Sequence, residues 1–311
     1  MNIAGELIAL VTTLCWSLGI FPFTAAAIRI GTAAVNQWRL LLAWIIISLI
    51  LILFNSISVS QLFSNPHAYH YLFLGMSGII GFTIGDYCSF TSFTLLGPKL
   101  GSLYTTFAPG AALIIGFLVL GEKINWIGIL GIAITIGGVI WLTLSKKDTL
   151  AAEQAGFKRD KKGIIFGIIG ALCQGTGLVL SKLGMDWYEE KLPTMHAVWI
   201  RLLFAFSTAF IISFLMKRLV ANSKPIFSNQ NNGLPFMVLG TLLGPVCGVT
   251  CSLLAIQKLE VAVAQTIFAL LPIFVLPVNL FVYKERITVQ SIFACMIAIV
   301  GVFILIWRNK F

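Results

Sequence analysis

Charged side chains are scarce: they form 10% of the 311 residues, where a soluble domain carries about a quarter. So little charge cannot cover the surface of an ordinary soluble domain, and that class is excluded. Histidine is nearly absent, and His67, His70 and His196 stand apart in loops or at segment edges. Membrane enzymes use paired acids around metal-bound phosphate, a His cluster, or a Ser or Cys nucleophile beside a base. None of these constellations is visible, so no catalytic residue is assigned and the chain is read as a non-enzyme. Cys15, Cys88, Cys173, Cys247, Cys251 and Cys295 fall in apolar stretches without CxxC spacing, so neither disulfides nor a metal site is expected. A phosphate-cradling Gly-rich loop is missing, which removes ATP as a direct drive, and no cofactor is expected. A basic leader is missing too. Glu6 stands in its place, so residues 3–22 read as a membrane helix rather than a signal peptide, despite the run Ala25-Ala26-Ala27.

Apolar residues make up the balance, 59% of the chain with mean hydropathy +0.98. They gather into ten segments, at 3–22, 33–54, 71–96, 100–120, 125–144, 163–183, 195–216, 235–256, 261–282 and 288–307. Each is near the ~20 residues that carry a helix across ~30 Å of hydrocarbon. Barrel strands alternate over ~10 residues and do not fit runs this continuous, so the expectation is an all-α integral membrane protein with ten transmembrane helices. The net charge of +10 lies in the loops, where basic residues set topology and meet anionic headgroups. Membrane lipids are expected partners, and nucleic acid is not.

The chain also repeats itself. An offset of 163 places Gly81 on Gly244, Gly85 on Gly248, Cys88 on Cys251, Ser89 on Ser252, Pro109 on Pro272, Glu122 on Glu285 and Gly138 on Gly301. Further upstream the register slips: Leu14-Cys15 pairs with Leu172-Cys173, and Trp38-Arg39 resembles Trp199-Ile200-Arg201. The division is therefore a first five-helix repeat at 1–145, a charged inter-repeat loop at 146–161 and a second repeat at 162–311. Five is odd, so the second repeat enters the membrane from the opposite face. Inverted repeats put a substrate site near the midplane, between halves that rock to expose it to either side.

These residues resemble a known family. The early Trp16, the Trp38-Arg39-Leu40 start of the second segment, and Pro109 followed by GFLVLGEKI (116–124) and GIAITIGGVIW (131–141) are similar to the ten-helix, EamA-type members of the drug/metabolite transporter superfamily. Pro272, NLFVYKERI (279–287) and CMIAIVGVFIL (295–305) repeat the pattern. The resemblance implies a central cavity walled by helices 1–4 and 6–9, with 5 and 10 outside, and a small-molecule cargo such as an amino acid, sugar conjugate or drug. It also implies cytoplasmic termini and a bacterial inner (cell) membrane. The loops argue the other way, because more Lys and Arg then fall on the outer side than the positive-inside rule allows.

One acid lies deep. Asp86, in GFTIGDYCSF (81–90), interrupts an otherwise uncharged run, and a carboxylate at the bilayer centre costs about 2.5–3.5 kcal/mol on insertion scales. Depth counting at about 1.5 Å per residue brings Arg39 within reach of it. Its partner position in the second half is Val249. Two readings stand: a cavity group that binds a cationic moiety or exchanges a proton, and a structural acid neutralised by Arg39. Trp16, Tyr87, Tyr104, Gln174, Thr250 and Gln265 complete the substrate-binding candidates; the glutamines rank above the hydroxyls, because an amide in lipid needs partners. Pro109 and Pro272 break the fourth and ninth helices, as paired breaks at a transporter's site do. Glu122 and Glu285, beside basic residues at helix ends, read as interface anchors or as a gate, and Lys182 as a snorkelling side chain. Glycines 75, 78, 81 and 85 read as a packing stripe, and those of the fifth segment as a dimer contact through helix 5 or helix 10. The composite expectation is a secondary-active, alternating-access carrier, proton-coupled or exchanging, with amino acid or cationic compound export considered first. The rival is a membrane scaffold or assembly protein that transports nothing.

Overall fold

The computed structural model describes residues 3–54, 57–143, 160–186, 191–282 and 289–308, and among them every regular element is helical. Seven helices are long and apolar enough to span a membrane: α1 (Ile3–Ile30), α2 (Thr32–Phe54), α3 (Ala68–Pro98), α6 (Lys161–Asp186), α7 (Thr194–Leu215), α8 (Gln230–Ile256) and α9 (Val261–Val278). Three shorter apolar helices complete the set: α4 (Tyr104–Leu120), α5 (Trp126–Thr143) and α10 (Val289–Trp307). Short helices at Val59–Ser64 and Leu219–Phe227 lie between α2 and α3 and between α7 and α8. The protein is a multi-pass integral membrane protein of two inverted five-helix repeats.

Helix ends follow from local chemistry. Gly31, at φ 90°, ends α1 and lets α2 begin at the next residue, a backbone geometry that side-chain-bearing residues rarely adopt. Gly97, at φ 84°, breaks the helical path at the end of α3, ahead of the approach to α4. Gly121, at φ 66°, caps α4 in the left-handed conformation.

Two departures from α-helical geometry recur at the repeat offset. Ile79–Asp86 in α3 and Leu242–Gly248 in α8 are π-helical, and the two begin at equivalent positions of the repeat. Likewise α4 opens with the 3₁₀ turn Tyr104–Phe107, and α9 breaks at Ala269–Leu270 before resuming at Leu271. Pro109 and Pro272 sit in the first turn of each resumed helix, where a missing backbone donor has no intrahelical partner to lose.

Small residues bring the helices together. A Cβ on Gly138 of α5 would stand 2.7 Å from the Ala298 nitrogen of α10, and one on Gly131 would stand 2.7 Å from that of Leu305. The glycine face of α5 is therefore spent inside the chain, against α10, and this pair stands outside the cavity. On α3, Gly75 meets Phe204, Gly78 abuts the Arg201 carbonyl, Gly81 faces Gly177 and Gly85 faces Cys173. That stripe packs α3 against α6 and α7, as close-approach glycines do in membranes.

Candidate functional site

Between the halves lies a cavity of roughly 810 Å³, its open mouth included. Its wall comes from α1, α2, α3, α4, α6, α8 and α9; α7 contributes none of it. The lining follows the repeat. Phe82 and Pro245, Asp86 and Val249, Thr105 and Phe268, and Ala108 and Leu271 all line it, each pair separated by the repeat offset. Trp16 and Gln174, paired by the upstream register that also joins Cys15 to Cys173, line it as well. In three of these pairs one half supplies a polar side chain and the other an apolar one.

The π segment of α3 ends on Asp86, and the close approach of α6 at Gly85 brings Gln174 to it. Arg39 Nη2 donates to Asp86 Oδ2 at 2.5 Å, and Gln174 Nε2 donates to Oδ1. Both carboxylate oxygens are thus held, one from each half of the chain. Arg39 is 2% exposed, whereas the Asp86 side chain keeps 15% exposure. Arg39 Nη2 also donates to Asn36 Oδ1 at 2.9 Å, and Asn36 donates to the Thr83 carbonyl at 3.1 Å inside the π segment. The guanidinium lies 4.7 Å from the Phe90 ring and 5.4 Å from that of Phe23, in cation–π range. Gln265 Nε2 donates to the Gln174 carbonyl at 3.4 Å. Trp16 and Phe268, edge to face at 5.0 Å, close the apolar end of the wall.

A second cluster ties the halves together at the face that carries the start of α1 and the end of α10. Glu122, just past α4, accepts from Lys182 Nζ at 2.8 Å and from the Val261 N–H at 2.9 and 3.1 Å, at the first residue of α9. Lys182 also donates to the Leu259 carbonyl at 2.7 Å. Close by, Arg308 pairs with Glu260 at 2.5 Å, and Gly5 packs on Leu259.

The EamA-like transporter family profile matches the chain twice, over residues 3–144 and 161–307. The chain belongs to the EamA-like transporter family. A curated Clostridium kluyveri protein described as an uncharacterized transporter is 26% identical over 242 residues, covering 76% of this chain and 73% of that protein. A solved crystal structure aligns over 100% of this chain and 99% of its own with a TM-score of 0.69 at 16% identity, which shows a shared fold. This EamA-like chain is a membrane transporter.

Of the residues singled out in the EamA-like sequence, Asp86, Arg39, Trp16, Gln174 and Gln265 converge on the cavity. Tyr87, Tyr104 and Thr250 do not. Tyr87 is 39% exposed and meets the Phe166 ring, Tyr104 packs on Gly167 and stacks on Phe107, and the Thr250 hydroxyl bonds the Val246 carbonyl of its own helix. Pro109 and Pro272 lie one residue behind Ala108 and Leu271, outside the lining. Lys182 does not snorkel outward: Glu122 and the Leu259 carbonyl hold it, and Glu122 is an inter-half contact rather than a plain interface anchor. Glu285 lies outside the described residues. Phe23, Phe82 and Phe93 also line the wall and were not singled out from the sequence, because aromatics that line a cavity and aromatics that face lipid have the same composition signal.

Proposed function

We propose that this protein is a secondary-active, alternating-access carrier of a small metabolite or drug-like solute, proton-coupled or exchanging, in a bacterial cell membrane. The single observation that carries the reading is Asp86: a deep acid that keeps access to a cavity while bonded to Arg39 of one half and Gln174 of the other. A carboxyl bridging two halves links site occupancy to their relative position, as alternating access requires. Asp86, Arg39, Gln174, Gln265 and Trp16 form the transport site. The paired helix breaks behind Ala108 and Leu271 are the places where α4 and α9 flex. The Glu122 cluster is the gate on the face of the chain's two described ends, and the conformation described is closed there. Any homodimer contact uses the outward faces of α5 and α10, since the inward face of α5 is already occupied.

Reconstituting the protein in liposomes loaded with a metabolite mixture, and following solute release together with internal pH, tests this reading. Saturable release that Asp86→Asn abolishes is the expected result. No movement of any solute would leave the scaffold reading in its place.

A further inference from the structure

The site carries more positive charge than it neutralises. Arg39 and Arg201, from the similar Trp38-Arg39 and Trp199-Ile200-Arg201 motifs of the two halves, are each 2% exposed. Asp86 is bonded to Arg39, and it ends the π segment whose Phe82 and Gly81 lie beside Arg201; among the described residues it is the one acid whose charge acts on both arginines. Glu122 and Lys182 cancel each other at the gate, as do Glu260 and Arg308. The sum over Arg39, Arg201 and Asp86 is one positive charge.

The hydrogen-bond accounting agrees. Arg201 Nε and Nη1 are buried without a partner, and so is Arg39 Nε. What Arg201 does have is the face of Phe82, 4.2 Å from its guanidinium carbon, and Phe82 lines the cavity. Its Nη2 lies 3.4 Å from where a Cβ on Gly81 would stand, about one π turn before Asp86. Buried donors without acceptors and a buried charge without a counter-charge both cost free energy, and an anion with acceptor oxygens relieves both. Around these groups the wall is aromatic and aliphatic: Trp16, Ile20, Phe23, Phe93 and Phe268.

Resting on the carrier reading above, we propose that the solute is a monoanion, a carboxylate on an apolar body. Its carboxylate replaces Asp86 on Arg39, and the freed Asp86 turns to Arg201. The loaded site is then neutral, with two carboxylates on two guanidinium groups. Asp86, of the first half, pairs in that state with Arg201, of the second. A cationic solute would add to the excess charge, and a zwitterion would leave it unchanged.

The test is equilibrium binding to the full chain in lipid nanodiscs by titration calorimetry. The probes are hydrocinnamate, its amide, the amine of the same skeleton and phenylalanine, with hexanoate, hexanamide, hexylamine and norleucine as a second set. In at least one set the carboxylate should bind about tenfold or more tighter than the other three members. Arg201→Gln, which brings the sum to zero, should erase that preference, and Arg201→Lys should keep it. The double variant Asp86→Asn/Arg201→Gln, which restores one positive charge, should recover it; a merely structural role for Arg201 would not follow the charge sum. An amide, amine or amino acid binding as tightly as the carboxylate in both sets overturns the proposal. So does failure of both carboxylates to bind, or a preference that survives Arg201→Gln. Flux of the same probes in liposomes separates this idea from its premise. Carboxylates that bind but do not cross would sink the carrier reading alone, whereas amines or amides crossing where carboxylates do not would sink the anion site alone.

Discussion

Glu122 and Lys182 hold each other at 2.8 Å across the boundary between the two repeats, and the same carboxylate caps the first residue of α9. Neither contact is local in sequence, so the pair depends on how the two halves sit against each other on that face. Their side chains are 10% and 17% exposed, which puts the bond largely out of water's reach.

Removing one partner of a pair this buried costs about 3 kcal/mol of whatever state contains it. Lys182→Met should therefore open the face that the pair closes. With Gln265→Cys as a reporter in the cavity wall, in a background stripped of native cysteines, labelling by an impermeant maleimide added from that face should rise severalfold over the same reporter with Lys182 intact. Unchanged labelling would show that the pair is not a gate.

Asp86→Asn preserves shape and a hydrogen-bonding partner for Gln174 but leaves the Arg39 guanidinium without its counter-charge. Uptake should fall by at least about tenfold, a change of ~1.4 kcal/mol in the barrier. Thermal unfolding in detergent should show a cooperative transition that remains intact, so that the loss reads as lost transport rather than lost fold.

Gly138 and Gly137 are neighbours with opposite surroundings. A Cβ at Gly138 would press on the α10 backbone at 2.7 Å, whereas one at Gly137 meets nothing within 4 Å. Gly138→Ala should destabilise the protein by about 1–3 kcal/mol, the usual cost of overpacking. Gly137→Ala should be neutral or stabilising by a few tenths of a kcal/mol, since alanine is the better helix former. Denaturant unfolding of the two variants side by side checks both signs.

At Gly85 an added methyl would come within 2.9 Å of the Cys173 Cβ, one residue before Gln174. Gly85→Ala should push α6 outward and lengthen the Gln174 contact to Asp86. Transport should drop by about tenfold, with a stability loss under about 2 kcal/mol. Wild-type flux in this variant would show that the Gln174 contact is dispensable.

How much of this was readable beforehand depends on what each residue's signal consisted of. Asp86 and Arg39 were legible because an ion in hydrocarbon has few solutions and depth can be counted at about 1.5 Å per residue. Gln174 and Gln265 were legible because a buried amide, too, must find partners. Tyr87 and Thr250 were misplaced together, and they are the same position in the two halves, related by the repeat offset. Each is one residue past a residue that lines the cavity, Asp86 and Val249, and one α-helical step of about 100° turns it off the wall. Lys182 was misread because its partner is 60 residues away, and only the packing of α4 beside α6 brings the two together.

The two π segments have a consequence for energetics. Both halves carry a π segment that begins at the same position of the repeat; only one copy bears an acid, and the equivalent residue in the other is Val249. In the alternating-access cycle proposed above, that asymmetry gives inward-open and outward-open forms unequal free energies even in an empty, unpolarised bilayer. Such a carrier would have a built-in resting side, set by side-chain chemistry and not by the shape of the scaffold.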